Sequence, residues 1–283
     1  MVGCGFVGEA AADLFHARGW EVHGWTHSEE SAGRLAAKPY PVSAHDITDA
    51  AHVLAAAREL PGGSDLDAVL DCVSSGRGGG PEQYRRVYLD GARHLTAAFR
   101  ARRFVYTGST SVYAQTDGSE VDENSPAEPD RETGRILRET ETTILAAPGG
   151  GGTVARLAGI YGPGRSVLLK KFLAGEAVIE GNGGRFLNQI HRDDAAAALF
   201  RLAQVDAPPG VYNVADDTPL IQRDLYAALA GHFGRELPPS GPEDRGRKRG
   251  WTSKRVRNAK LRSLGWQPRW PSFLDWARAQ PDC

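Results

Sequence analysis

Apolar and polar positions along the chain alternate between short hydrophobic runs and helical stripes. After Met1–Gly8, the segment E-A-A-A-D-L-F-H-A-R-G places Ala11, Leu14, Phe15 and Arg18 on one helical face, and Gly19 stands where that helix should end. W-E-V-H-G-W then predicts a short strand. Asp46-Ile47-Thr48-Asp49 precedes a helix, A-A-H-V-L-A-A-A-R-E-L, that Pro61 stops. Leu66–Val73 has the pattern of a buried strand and runs into the loop S-S-G-R-G-G-G-P. A stripe of Tyr84, Val87, Tyr88, Gly91, Leu95, Ala98 and Phe99 predicts the next helix, and Arg103–Thr107 the next strand. A charged helix follows from about Thr133 to Ala146, then a Gly-rich turn from Pro148 and the strand T-V-A-R-L. Strands alternating with helices imply an α/β fold, a doubly wound parallel Rossmann sheet.

From about Gly159 the texture changes. Gly and Pro punctuate shorter segments, and Trp251, Trp266, Trp270 and Trp276 gather near the end. The expected division is a nucleotide-binding domain over 1–158 and a smaller C-terminal substrate lobe over 159–283. Residues 186–205 are expected to return to the first domain.

The first turn carries the chemistry. M-V-G-C-G-F-V-G sets Gly3, Gly5 and Gly8 in a G-x-G-x-x-G array between a strand and a helix, the context that the dinucleotide fingerprint requires. Gly3 permits the tight turn, Gly5 lets a pyrophosphate approach the backbone, and Gly8 allows close helix–strand packing. The helix N-terminus then faces the phosphates. Only Met1 and Val2 precede the glycines, so a short central strand is expected, as in a chain that starts downstream of its natural first residues. At the end of the second strand an NAD site usually carries an acidic residue for the ribose. Thr26, His27 and Ser28 stand there instead, with Arg34 nearby, which favours NADP over NAD.

Composition narrows the partners. A net charge of -1 and 24% charged residues argue against a nucleic-acid partner. The basic run Arg245–Arg257 reads as a solvated loop or a contact for an anionic substrate. No apolar run is long enough to span a bilayer, so no membrane partner is expected. Cys4, Cys72 and Cys283 have neither metal-ligand spacing nor a disulfide framework, so no metal is expected and the compartment is a reducing cytoplasm.

G-C-G-F-V-G, F-V-Y-T-G-S-T-S-V-Y, R-L-A-G-I-Y-G-P-G-R, N-Q-I-H-R-D-D, G-V-Y-N-V-A-D and R-N-A-K-L-R-S-L-G-W-Q-P occur in this order. Together they resemble the extended short-chain dehydrogenase/reductases, the NAD(P)-dependent nucleotide-sugar epimerases and dehydratases. The resemblance implies a cofactor site made by Gly3, Gly5, Phe6, Val7 and Gly8, with Thr26, His27 and Ser28 at the ribose. It also implies Asp46 and Ile47 near the adenine, with Ser74 and Thr107 along the cofactor. Ser109 matches the catalytic Ser/Thr. Substrate contacts are implied for Ser109, Ser111, Tyr113, Arg165 and Asn188. The partner is a small molecule, such as a sugar nucleotide, and by family analogy the chain forms a homodimer through 81–100 and 133–146.

One departure separates binding from turnover. The family's base is a Tyr in Tyr-x-x-x-Lys, where the ammonium lowers the phenol's pKa. Aligning E-T-G-R-I-L-R-E-T-E puts Thr133 at the Tyr position and Leu137 at the Lys position, and Tyr88 takes the place of the family's Asn. Tyr161, Tyr113 and His191, the last oriented by Asp193 or Asp194, are the candidate replacements. Their alternative roles are packing for the tyrosines and helix capping for the His191 group. Two functions stay open: an NAD(P)-dependent epimerase, dehydratase or reductase with a non-standard base, and a non-catalytic NADP sensor.

Overall fold

The computed structural model describes residues 1–76, 79–148, 151–246 and 250–280. Cys283 and the Arg247–Arg249 stretch of the basic run lie outside the described residues. Helix α1 (Phe6–Ala17) precedes β1 (Gly24–Thr26), α2 (Glu29–Arg34) leads to β2 (Val42–Ala44), and α3 (Ala50–Glu59) to β3 (Asp65–Asp71). A long helix follows, in which α4 (Pro81–Tyr84) passes through a π-helical stretch, Arg85–Asp90, into α5 (Gly91–Ala98). Then come β4 (Arg100–Ser109), the short β5 (Glu120–Val121), α6 (Glu132–Leu145) and β6 (Thr153–Leu157).

These strands form a parallel sheet in the order β2-β1-Val2-β3-β4-β6. Gly24 pairs with Val42, Val2 bridges Trp25 and Asp71, Val69 pairs with Phe104, and Val105 with Thr153. The central strand is reduced to Val2, whose N–H donates to Leu70 O and whose carbonyl accepts from Cys72 N, both at 2.8 Å. Strand order reverses there, so the crevice at the carboxyl ends opens beside the glycine turn.

The remaining chain is shared between two cores. Strand β7 (Gly159–Tyr161), α7 (Val167–Leu173), β8 (Ile179–Glu180), β9 (Phe186–Leu187) and β10 (Gln189–His191) are short, and β7 runs parallel to β10. Helix α8 (Arg192–Leu202) packs on α1. Strand β11 (Gly210–Val214) then adds to the main sheet, with Val211 opposite Val154. Residues 210–214 thus join the first core, because their backbone pairs with β6. A second core gathers Tyr161, Leu169, Phe172, Ile179, Phe273 and Trp276. It is built with β12 (Leu220–Ile221), α9 (Gln222–Phe233), β13 (Ser240–Gly241) and α11 (Phe273–Arg278), whereas β14 (Arg255–Val256) and α10 (Ala259–Arg262) place Val256 and Leu261 in the first core.

Buried polar groups tie the parts together. Asp194, at the start of α8, accepts from the backbone N–H groups of Arg269 and Trp270 at 2.7 and 3.0 Å, and its own carbonyl accepts from the Trp266 indole. Segment 253–257 is laced to 115–121: Ser253 N donates to Gln115 O, and Val256 pairs with Val121. Where it is described, the basic run is partly paired: Arg245 meets Glu243, and Arg255 and Arg257 share Glu120. Among the described residues no helix is long and apolar enough to cross a membrane.

Candidate cofactor site

The glycine turn shapes one wall. Gly3 has φ +83°, and a Cβ there would lie 2.7 Å from the backbone of Cys72 and Val73. At Gly8 a Cβ would sit 2.1 Å from Gly3 O, so α1 packs against the turn at a distance only glycine allows. Gly5 differs from both. A Cβ at Gly5 would meet nothing within 4 Å, and Gly5 caps α1 without any side-chain hydrogen bond. The first N–H groups of α1 therefore open on free space, which suits an anion approaching the backbone.

That space is a cavity of about 550 Å³. Gly3, Gly5, Phe6 and Val7 line one stretch of it. Thr26, His27, Ser31, Arg34, Asp46 and Ile47 line another. Arg34 is braced by Glu30 and by the Ser31 hydroxyl, each at 2.9 Å. Burial works against the Asp46 carboxylate, yet hydrogen bonds from the Thr48 N–H and hydroxyl hold its pKa below the usual value. His94 bonds the Ile47 carbonyl at 2.8 Å, and Gly91 leaves room for the Ile47 side chain. Ser28 lies outside the lining; it caps α2 by accepting from Ser31 N.

The cavity continues past Ser74 and Ser75 to Gln83, Val87 and Tyr88. The π-helical turn carries Val87 and Tyr88, and such turns recur where a helix must re-aim side chains. The Tyr88 hydroxyl accepts from Ser75 N at 3.2 Å. Thr107, Ser109, Leu137 and Arg165 also line the cavity. Thr107 donates to Asp71 O, and the Ser109 hydroxyl accepts from Ser111 N as it starts the 3-10 turn Thr110–Val112. Leu137 contributes an apolar surface at the position aligned with a lysine. Thr133 is buried one turn earlier and does not line the cavity.

The other candidates sit elsewhere. Gly8 is beneath the turn and outside the lining. Tyr113 is fully buried: its hydroxyl donates to Asn213, its ring lies under the Arg156 guanidinium, and burial raises its pKa. The Ser111 hydroxyl is enclosed without a hydrogen-bond partner. Asn188 spends its amide on the backbone of Lys254 and Val256. Tyr161 packs among His191, Phe273 and Trp276; its hydroxyl has no hydrogen-bond partner, and burial pushes its pKa further up. His191 is buried, caps α8 by accepting from Asp193 N, and is shifted down by burial. Among the described residues no group of three or more His, Cys, Asp or Glu side chains could hold a metal. Ser31, Gln83, Ala158 and Ile160 also line the cavity, and the sequence does not mark them as site residues. Ser31 has a sequence signal in the S-x-x-S spacing from Ser28; the others have none.

The NAD dependent epimerase/dehydratase family model matches residues 2–215. The chain belongs to that family. This family member is 29% identical to Protein YeeZ of Escherichia coli K12 over 241 residues, which is 84% of each chain. Its fold matches the human epimerase family protein SDR39U1 solved with NADPH (TM-score 0.77, 21% identity, 98% of this chain and 96% of that one). It also matches the Thermus thermophilus UDP-glucose 4-epimerase solved with NAD (TM-score 0.79, 19% identity, 98% and 96%). At these identities the two structures share the fold.

Proposed function

We propose that this family member binds NADP(H) in the cavity and acts on a hydroxylated small molecule, such as a sugar nucleotide, through a non-standard active site. The observation that carries this is the open space at Gly5, above an uncapped α1, continuous with the Arg34–Ser31 pair. A pyrophosphate suits the first feature. The second offers a cation and a hydroxyl to a 2′-phosphate, as NADP sites do. The cofactor, when bound, supplies reversible hydride exchange. Ser109 is the residue assigned to orient a substrate hydroxyl or carbonyl. Thr133 and Leu137 replace the Tyr and Lys, so no ammonium lowers a phenol's pKa. Tyr161 and His191 are assigned supporting roles, in the aromatic cluster and the α8 cap. The free thiols Cys4 and Cys72 support a reducing compartment, the cytoplasm. The proposed state in solution is a homodimer through 81–100 and 133–146, a surface on which Glu139 is paired with both Arg85 and Arg93.

A non-catalytic NADP sensor is the second reading, favoured by the apolar Leu137 in the cavity wall. The test has two stages. NADPH and NADH are titrated by fluorescence, and NADPH oxidation is then screened against keto-sugar nucleotides. Tight NADPH binding with turnover supports the enzyme. Binding without turnover on any of them supports the sensor. No binding of either dinucleotide at millimolar concentration overturns both.

A further inference from the structure

We infer that Arg165 and Arg192 form a cationic clamp for the cofactor's pyrophosphate, built across Phe6. This rests on the proposal that the cavity holds a dinucleotide. Phe6 is the first residue of α1, next to Gly5, and lines the cavity. The Arg165 guanidinium lies 5.0 Å from the Phe6 ring centroid and that of Arg192 lies 5.3 Å from it. A ring face holds each cation by its quadrupole. Two cations on one ring also repel each other, and a dianion at this edge relieves that repulsion.

Arg165 is held in place before any ligand arrives. Gly162 and Arg165 exchange backbone hydrogen bonds at 2.9 and 3.0 Å, and Lys170 grips the Gly164 carbonyl at 2.7 Å. Ser166 immediately caps α7. The turn lies directly on the clamp, since a Cβ at Gly162 would come 3.0 Å from Arg192 Cβ and 3.4 Å from Phe6 Cζ. Arg192 shares its charge with Asp193 at 2.8 Å, whereas Arg165 makes no ion pair among the described residues. Arg165, which lines the cavity, is therefore the direct contact; Arg192 lies outside the lining and adds its charge from behind the Phe6 ring. A guanidinium carried on a fixed backbone turn near an uncapped helix N-terminus matches the paired oxygens of a pyrophosphate.

The experiment compares wild type with Arg165→Ala, titrating NADPH, adenosine 2′-monophosphate and UDP. Loss of one charge-assisted contact is expected to weaken NADPH about tenfold, with the deficit shrinking at high salt. Adenosine 2′-monophosphate, which has no pyrophosphate, is expected to bind both proteins equally. Unchanged NADPH binding in the variant overturns the clamp, as does equal weakening of NADPH and adenosine 2′-monophosphate. A selective loss of UDP binding overturns it too, and moves Arg165 to a substrate diphosphate. If wild type itself does not bind NADPH, the cofactor reading fails and the clamp falls with it.

Discussion

The Arg34 guanidinium donates to the Ser31 hydroxyl at 2.9 Å on the wall of the cavity. Ser31 is fixed in turn by Ser28, whose hydroxyl donates to it at 3.1 Å while capping α2. On the proposed NADP reading this cation, which also pairs with Glu30, faces the 2′-phosphate. Arg34→Ala is expected to weaken NADPH by about 10- to 100-fold, the value of one charge-assisted contact, and to leave NADH nearly unchanged. Titration of both dinucleotides against both proteins checks this. Equal losses would place Arg34 away from the 2′-phosphate.

Gly5 and Gly8 make opposite predictions although they belong to one motif. Gly5→Ala adds a methyl where nothing lies within 4 Å, so stability should change by less than about 1 kcal/mol. The methyl enters the space assigned to the pyrophosphate, so NADPH binding should fall sharply. Gly8→Ala drives a Cβ to 2.1 Å from a backbone oxygen and should cost more than about 3 kcal/mol. Urea unfolding beside NADPH titration separates the two effects. A destabilised Gly5→Ala with intact binding would contradict the assigned roles.

The local features of this fold were readable from residue patterns, and the long-range ones were not. The glycine array and the strand–helix alternation depend on near neighbours, and Gly3, Gly8 and the parallel strands follow from them. The π-helical turn at Arg85–Asp90 leaves no mark on a helical stripe, yet it carries Tyr88 to Ser75. In T-V-A-R-L, Arg156 offers no sign of being buried. It becomes so because Glu141, from α6, accepts from its Nε and Nη2 at 2.9 and 2.8 Å. Tyr161 and His191 are titratable side chains that lie beside recognisable motifs. Their packing against Phe273 and Trp276, contributed from the far end of the chain, was beyond any local pattern.

Tyr161→Phe tests one of those candidates cheaply. The hydroxyl is buried, has no hydrogen-bond partner and lies outside the cavity lining. Removing it should leave NADPH affinity and any turnover unchanged. Stability should hold or rise by about 1 kcal/mol, since an unsatisfied buried hydroxyl is lost while the ring packing remains. Thermal unfolding and the NADPH assay measure both. A large fall in turnover at unchanged stability would restore Tyr161 as an acid or base.

Asp71 should make stability depend on pH. It ends β3, is fully buried, and burial pushes its carboxyl up to about 7 from the ordinary 3.8, against a hydrogen bond from Val73 N. Its Oδ2 has no hydrogen-bond partner. Because the folded value lies above the unfolded one, the unfolded chain loses this proton first as pH rises. The stability associated with the neutral acid is complete below about pH 3.8 and is lost progressively as pH climbs to about 7. Asp71→Asn keeps the acceptor for Val73 N and cannot ionise. It should exceed wild type by on the order of a few kcal/mol at pH 8, with the gap closing as pH falls toward 4. Urea midpoints of both proteins at several pH values give the gap directly, and a gap independent of pH would show that folding leaves the Asp71 carboxyl at its ordinary value.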